Sequence, residues 1–169
     1  MASKRAKTAL ASGLGLVALT ATYLTAPWEG KSNKAYYDAL GRVWTVGIGE
    51  TKGVTRNSYC SDDECSAMLM KRLEKDFHQP LQRCVPGFDK APISVQASML
   101  DLAYNVGVST VCRSTAARRV TARNWAGACQ AMTWFNQAGG RVIAGLKKRR
   151  ENGDATRIGE KELCLAGLN

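Results

Sequence analysis

Apolar residues recur at helical spacing along most of the chain. In the N-terminal segment the pattern places five of them on one face of a single helix: Leu10, Leu14, Val17, Ala21 and Leu24. The capping-box pattern at residues 61–64 predicts a helix that runs toward Arg83 and ends before Pro86. A buried helix is expected from Pro92 to Tyr104, with Gly107 just past its end. Further helices are predicted near residues 110–120, 125–135 and 142–151, and one more contains Cys164.

One region has a different pattern. Residues 36–58 carry aromatic and β-branched residues interrupted by glycines, which predicts a small antiparallel hairpin sheet. A small sheet followed by a run of helices indicates an α+β fold, with a sheet lobe and a mainly α-helical lobe.

The first 26 residues have the layout of an export signal. Lys4, Arg5 and Lys7 precede an uncharged stretch from Thr8 to Ala26. Its 19 residues approach the length of about 20 that crosses a bilayer, but Ala, Gly, Ser and Thr dilute its apolar character. Three interpretations stay open: a releasable membrane anchor, a helix packed on the folded domain, and a cleaved signal peptide. We divide the chain into an anchor segment, 1–27, and a catalytic domain, 28–169.

The cysteine content and the net charge indicate the compartment and the partners of the protein. Six cysteines in 169 residues favour three disulfides in an oxidising compartment, with their pairing left open. A zinc site is the alternative, although the chain has one histidine, His78, and lacks a CxxC pair. The net charge of +10 favours polyanionic partners such as nucleic acid, anionic lipid or bacterial cell wall, or it simply keeps the surface soluble.

The candidate catalytic residues begin just after the first predicted helix. Glu29 follows Trp28, and an apolar flank disfavours an ionised carboxylate, which suits a proton donor. Asp38 lies at the first hairpin strand, and Thr45 on the next strand could hold a water beside it. Two carboxylates on opposite walls of a cleft are the usual equipment for glycoside hydrolysis.

These residues resemble the phage-type lysozymes of glycoside hydrolase family 24. The family signature of Glu, eight residues, Asp, about five residues and Thr is similar to Glu29, Asp38 and Thr45, and Gly30, Gly47 and Gly49 occupy matching places. Segment 102–107, Trp134, the Gly139-Gly140 pair and segment 145–151 are also similar, so the resemblance covers residues 28 to about 151.

The resemblance implies a lysozyme-like fold with the active-site cleft between its two lobes. It implies an endolysin that hydrolyses the β-1,4 bond between N-acetylmuramic acid and N-acetylglucosamine in peptidoglycan. Glu29 would be the acid, Asp38 and Thr45 would position water, and Asn105 is a candidate sugar-binding residue. No metal, cofactor or nucleic acid is expected. The enzyme is expected to be a periplasmic monomer, first tethered to the inner membrane through residues 8–26 as in signal-anchor-release endolysins.

Two positions depart from the family pattern, and two rival functions stay open. Six residues separate Asp38 from Thr45, so that Arg42 resembles an insertion in the turn. Glu50 stands where many relatives have His, and we expect it to face water. A lytic transglycosylase is the nearest rival, since it needs only one acidic residue. A basic, non-catalytic wall- or nucleic-acid-binding module is the other.

Overall fold

The computed structural model describes residues 3–39 and 41–168. The first two helical segments are α1, Lys4–Leu10, and α2, which runs without interruption through Leu16–Thr20, a π-helical turn at Ala21–Thr25, and Ala26–Glu29. Helix α3 comprises Asp62–Arg72, a second π-helical stretch Leu73–His78, and Gln79–Cys84. The helices that follow are α4 Ile93–Val106, α5 Val108–Cys112, α6 Thr115–Thr121, α7 Trp125–Met132, α8 Ala144–Arg150 and α9 Glu160–Ala166.

The N-terminal segment is broken into two helices, and the single apolar face predicted for residues 10–24 is therefore wrong. Residues 11–15 form a turn in which Gly13 has φ of 73°, a conformation that glycine adopts without steric cost. Leu14 is 38% exposed as a result. Ala21 and Leu24 of the predicted face are buried, and Leu19, which lies off that face, is buried with them. Within the described residues no helix is long and apolar enough to cross a membrane.

A two-stranded antiparallel ribbon forms the small lobe. Strand β1 is Ser32–Asp38 and strand β2 is Val43–Gly47, so the ribbon begins before the predicted region, 36–58, and ends well before the end of that region. The Cys60–Cys65 disulfide lies beneath its end, where a side chain on Gly47 would come within 3.3 Å of the Cys60 sulfur. The disulfide therefore fixes the end of β2 against the start of α3.

Helix α4 is the centre of the helical lobe. Its buried residues pack against α2, α7 and α9, and the core includes Val95, Met99, Leu100 and Leu102. Disulfides Cys84–Cys112 and Cys129–Cys164 connect the helices around it. All six cysteines are thus paired, which confirms the prediction of three disulfides and rules out their use as zinc ligands.

The C-terminal part covers the N-terminal segment. Strands β3 Gln137–Ala138 and β4 Arg141–Val142 form a second short hairpin around the Gly139-Gly140 pair. Helix α9 packs on α1, where Ala6 and Ala9 allow close approach to Leu163 and Ala166. Arg5 donates two hydrogen bonds to the Glu162 carboxylate, each 2.8 Å long. Helix α1 is therefore an integral part of the fold.

Candidate active site

A cavity of 390 Å³ lies between the end of α2 and the β1–β2 ribbon. The structure brings three of the predicted site residues together there, since Glu29, Asp38 and Thr45 all contribute to its wall. Lys31, Tyr36 and Thr51 complete much of the lining. A larger cavity of 630 Å³ lies beside α1 and residues 156–158, and its walls contain none of those three residues.

Glu29 is the last residue of α2 and is held by an ion pair. Its Oε1 accepts a hydrogen bond from Nη1 of Arg149 at 2.6 Å, and its side chain is 25% exposed. The apolar flank expected from Trp28 is wrong, because the indole donates to the carbonyl of Ile158 and stacks on the guanidinium of Arg157. The residue that contacts the Glu29 carboxylate is therefore a cation.

Asp101 of α4 fixes the orientation of Arg149. The guanidinium donates from Nε to Asp101 Oδ2 at 3.1 Å and from Nη2 to Asp101 Oδ1 at 2.9 Å. The hydroxyl of Thr25, one turn before Glu29 on α2, donates to Asp101 Oδ1 at 2.8 Å. Burial opposes ionisation of Asp101, but the adjacent Arg149 outweighs it and lowers the pKa of that carboxyl.

A second buried pair lies directly behind the first. Arg150 donates to the carboxylate of Glu160, to the carbonyl of Phe135 and to the side-chain oxygen of Asn105. Burial is the main cause that raises the pKa of Glu160 well above its usual value, and it outweighs the attraction of Arg150. Asn105 is thus engaged with Arg150 at the end of α4, and it is not among the described residues that line the 390 Å³ cavity.

The hairpin supplies the opposite wall of the cavity. The register pairs Asp38 with Val43 and Tyr36 with Thr45, so Asp38 and Thr45 are diagonal neighbours on one face of the ribbon. A side chain at Gly41 would come within 2.9 Å of an Asp38 carboxylate oxygen, so glycine leaves room for that group. The turn before β2 includes Leu40, which lies outside the described residues, and Arg42 takes φ of 53°.

The hydroxyl of Thr45 is buried without a hydrogen-bond partner among the described residues. Thr45 is 4% exposed, and its Oγ1 forms no hydrogen bond with any atom of the described part of the chain. A buried hydroxyl without a partner normally costs free energy unless a water or a ligand satisfies it. The position is therefore suited to holding a polar atom that enters from the cavity.

Tyr104 and Glu50 hold the strand end that borders the cavity. Tyr104 donates from its hydroxyl to the carbonyl of Ile48 at 2.7 Å, and burial raises the pKa of Tyr104 to about 12. Glu50 accepts hydrogen bonds from the backbone N–H groups of Thr51 and Lys52. Glu50 is partly exposed to water, as expected, and its carboxylate also stabilises a turn.

Thr25, Asp101 and Arg149 belong to the site although no sequence motif predicted a role for them. Asp101 and Arg149 lie 48 positions apart, and no local spacing pairs them. The available signal was a charged residue inside an apolar helical run, since Asp101 interrupts the buried face predicted for residues 92–104. Such a residue must find a partner when it is buried.

Comparisons with known proteins give consistent matches. The family model for phage lysozyme matches residues 26–153. The SAR-endolysin of Enterobacteria phage P21 is 32% identical over 173 aligned residues, which cover 98% of this chain and 97% of that protein. The SAR-endolysin of Enterobacteria phage PA-2 is 31% identical with the same coverage.

Among solved structures, the active form of the P1 phage endolysin Lyz superposes with a TM-score of 0.75 at 22% identity. That match covers 96% of this chain and 92% of the P1 protein. The α+β architecture with a small sheet lobe and a helical lobe is therefore the lysozyme-like fold, as expected.

Proposed function

The chain belongs to the phage lysozyme family and is a peptidoglycan-lysing endolysin, and we propose on that premise that Glu29 and Asp38 carry out the hydrolysis. The observation that carries this proposal is the shared cavity, with Glu29 on the helical wall and Asp38 and Thr45 on the hairpin wall. The bond cleaved is the β-1,4 link from N-acetylmuramic acid to N-acetylglucosamine.

Each residue has one chemical task in the proposed reaction. Protonated Glu29 donates its proton to the glycosidic oxygen, so that the bond to the anomeric carbon breaks and the leaving sugar departs as an alcohol. Asp38 accepts a proton from a water as the water oxygen attacks that carbon from the opposite face. The hydroxyl of Thr45 orients this water, and its lack of a partner within the described residues supports that role. Attack from the opposite face inverts the anomeric centre.

A lysis assay tests the catalytic assignment. The parent protein and Glu29→Gln are added to Gram-negative cells with a permeabilised outer membrane, and turbidity is followed. The parent should clear the suspension, and the amide, which cannot donate the proton, should leave it turbid. Asp63→Asn is the matched control, since Asp63 is an exposed carboxylate in the first turn of α3. Clearing by Glu29→Gln at the parent's rate would contradict the proposal.

The proposal extends to the N-terminal segment. Residues 8–26 first tether the enzyme to the inner membrane, and their release allows α2 to dock and the enzyme to act in the periplasm. The names of the SAR-endolysin relatives support this, as does the marginal apolar character of the stretch. Docking and catalysis are coupled because Glu29 ends α2, and the helix cannot lie in a bilayer and place Glu29 beside Arg149 at once.

Strengthening the anchor tests this extension. A Gly13→Leu/Gly15→Leu double variant makes the stretch more apolar at two positions where a side chain meets no neighbour. It should stay in the membrane fraction and lyse cells more slowly than the parent. Gly13→Ser/Gly15→Ser introduces the same backbone change without the apolar gain, and it should be released normally. Full muramidase activity in the membrane-held leucine variant would refute the coupling.

A further inference from the structure

We propose that Asp101 is a positioning residue for Glu29 and acts on it through Arg149. Asp101 is not among the described residues that line the cavity with Glu29, Asp38 and Thr45, so it acts through the residues it binds and not by contact with substrate. The proposal rests on the assignment of Glu29 as the proton donor. Asp101 would be a further functional residue, and the spacing of Glu29, Asp38 and Thr45 in the sequence does not indicate it.

The geometry of the guanidinium carries the argument. Arg149 is 6% exposed, and its Nε and Nη2 both bind the Asp101 carboxylate, as a planar fork binds a carboxylate. Because the guanidinium is flat and rigid, these two bonds determine the direction of its remaining arm. That arm, Nη1, contacts Glu29 Oε1 at 2.6 Å. The position of the Glu29 carboxylate is thus set by Asp101 across one intervening cation.

Thr25 connects the same carboxylate to α2. Its hydroxyl donates to Asp101 Oδ1, while Glu29, four residues later, accepts from Arg149. Residues four apart lie on the same face of a helix, so one face of α2 makes both contacts when it docks. The Asp101–Arg149 pair therefore forms a receptor for the end of α2.

Charge is the second part of the argument. Asp101 offsets the positive charge of Arg149, which would otherwise stabilise the ionised form of Glu29. The charged and titratable groups around Glu29 are Arg149, which binds it, Asp101 and Glu160, which contact Arg149, Tyr104 of α4, and Asp38 and Lys31, which line the same cavity. Glu29 must be protonated to act as an acid. Loss of the Asp101 charge should therefore reduce activity most at higher pH.

The decisive experiment measures kcat and KM for Asp101→Asn across pH on soluble peptidoglycan fragments. Asparagine keeps the shape and one acceptor oxygen but removes the charge. We expect kcat to fall roughly tenfold with KM within about twofold, and the alkaline limb of the profile to move roughly one pH unit lower. A folded Asp101→Asn variant with the parent's kcat and profile would overturn the proposal.

Glu160→Gln is the matched control, because Glu160 is equally buried and its Oε1 lies 3.7 Å from the same Nε of Arg149 that donates to Asp101. Burial already keeps its carboxyl neutral to a higher pH than usual, so the amide should leave the alkaline limb unchanged. If the alkaline limb moves equally in Asp101→Asn and Glu160→Gln, the proposal is overturned, because the shift then reflects a general disturbance of the buried network.

Two further variants keep the test decisive. If Asp101→Asn does not fold, Thr25→Val removes the hydroxyl that orients Asp101 and keeps both charges. It should lower kcat several-fold at unchanged KM, and an unchanged kcat would contradict the proposal. Glu29→Gln separates the two hypotheses. An active Glu29→Gln refutes the proton donor itself, whereas an inactive one beside a parent-like Asp101→Asn refutes only the positioning role.

Discussion

The two walls of the cleft are built on different principles. On the helical wall, Glu29 ends a helix and is held by a buried network in which Arg149, Asp101 and Glu160 contact one another. On the hairpin wall, Asp38 lies on a two-stranded ribbon that exposes Tyr36 and Tyr37 to solvent. One wall depends on contacts between residues far apart in sequence, and the other on strand register.

The difference indicates which wall of the cleft can change its local geometry and which cannot. A buried ion network has a few discrete arrangements, because each charge must keep its partners in a medium of low polarity. A short ribbon admits local irregularity, since its register shifts between Ser32 and Tyr36 while Asp38 pairs with Val43. We infer that substitutions on the helical wall affect both stability and activity, whereas those on the hairpin wall affect activity alone.

Removal of Arg150 should have the largest effect. Arg150→Met leaves three acceptors without their donor, on Glu160, Phe135 and Asn105, and each unsatisfied buried group costs about 1–3 kcal/mol. Urea unfolding followed by circular dichroism should show this loss, with a matching fall in activity at elevated temperature. Arg113→Met, at an exposed arginine, is the control. If Arg150→Met lowers the free energy of unfolding by less than about 1 kcal/mol, the two walls do not differ in their contribution to stability.

Neutralising Asp38 is expected to give the next largest effect. Asp38→Asn removes the base that accepts a proton from water, so kcat should fall about 100-fold or more. The free energy of unfolding should stay within about 0.5 kcal/mol of the parent value, because the residue lies on the solvent-facing ribbon. Initial rates of glycan cleavage and urea unfolding measure the two quantities. If Asp38→Asn loses both stability and activity, the inference that hairpin-wall substitutions affect activity alone is wrong.

Thr45 offers a finer test of the hairpin wall. Thr45→Val replaces the unpartnered hydroxyl by a methyl group of similar size, so stability should be equal or slightly higher. Activity should fall about tenfold if the hydroxyl holds the attacking water. Thr45→Ser keeps the hydroxyl and should restore most of the rate. Equal rates for the valine and serine variants would show that the hydroxyl has no role.

Arg5 should have the smallest effect. Its side chain is 34% exposed, so solvent screening limits the ion pair with Glu162, and Arg5→Gln should cost about 1 kcal/mol. Differential scanning calorimetry should detect a fall of about 2–4 °C in the unfolding midpoint. The exposed Arg56 provides the control, and its conversion to Gln should leave the midpoint unchanged. Equal midpoints for both variants would indicate that α1 docks through apolar contacts alone.

Local patterns predicted much of this molecule. The capping box at Ser61, the buried helix around Leu100 and the ribbon with Asp38 were all present in the spacing of residues. The break near Gly13 was missed because the apolar spacing continues across it, although the glycine could have indicated a turn. Asp101 in an apolar helix indicated that a partner was needed, but its identity could not be predicted, because the tertiary fold brings Arg149 to it from 48 positions away.

The most direct test of the account follows the oxygen atom that is added to the product. Peptidoglycan strands are digested by the parent protein in water enriched in heavy oxygen, and the products are analysed by mass spectrometry. If Glu29 and Asp38 catalyse attack by water, new reducing ends will appear and will carry the heavy oxygen. Products that end in 1,6-anhydro sugars without the label would identify a lytic transglycosylase and would contradict the role given to Asp38.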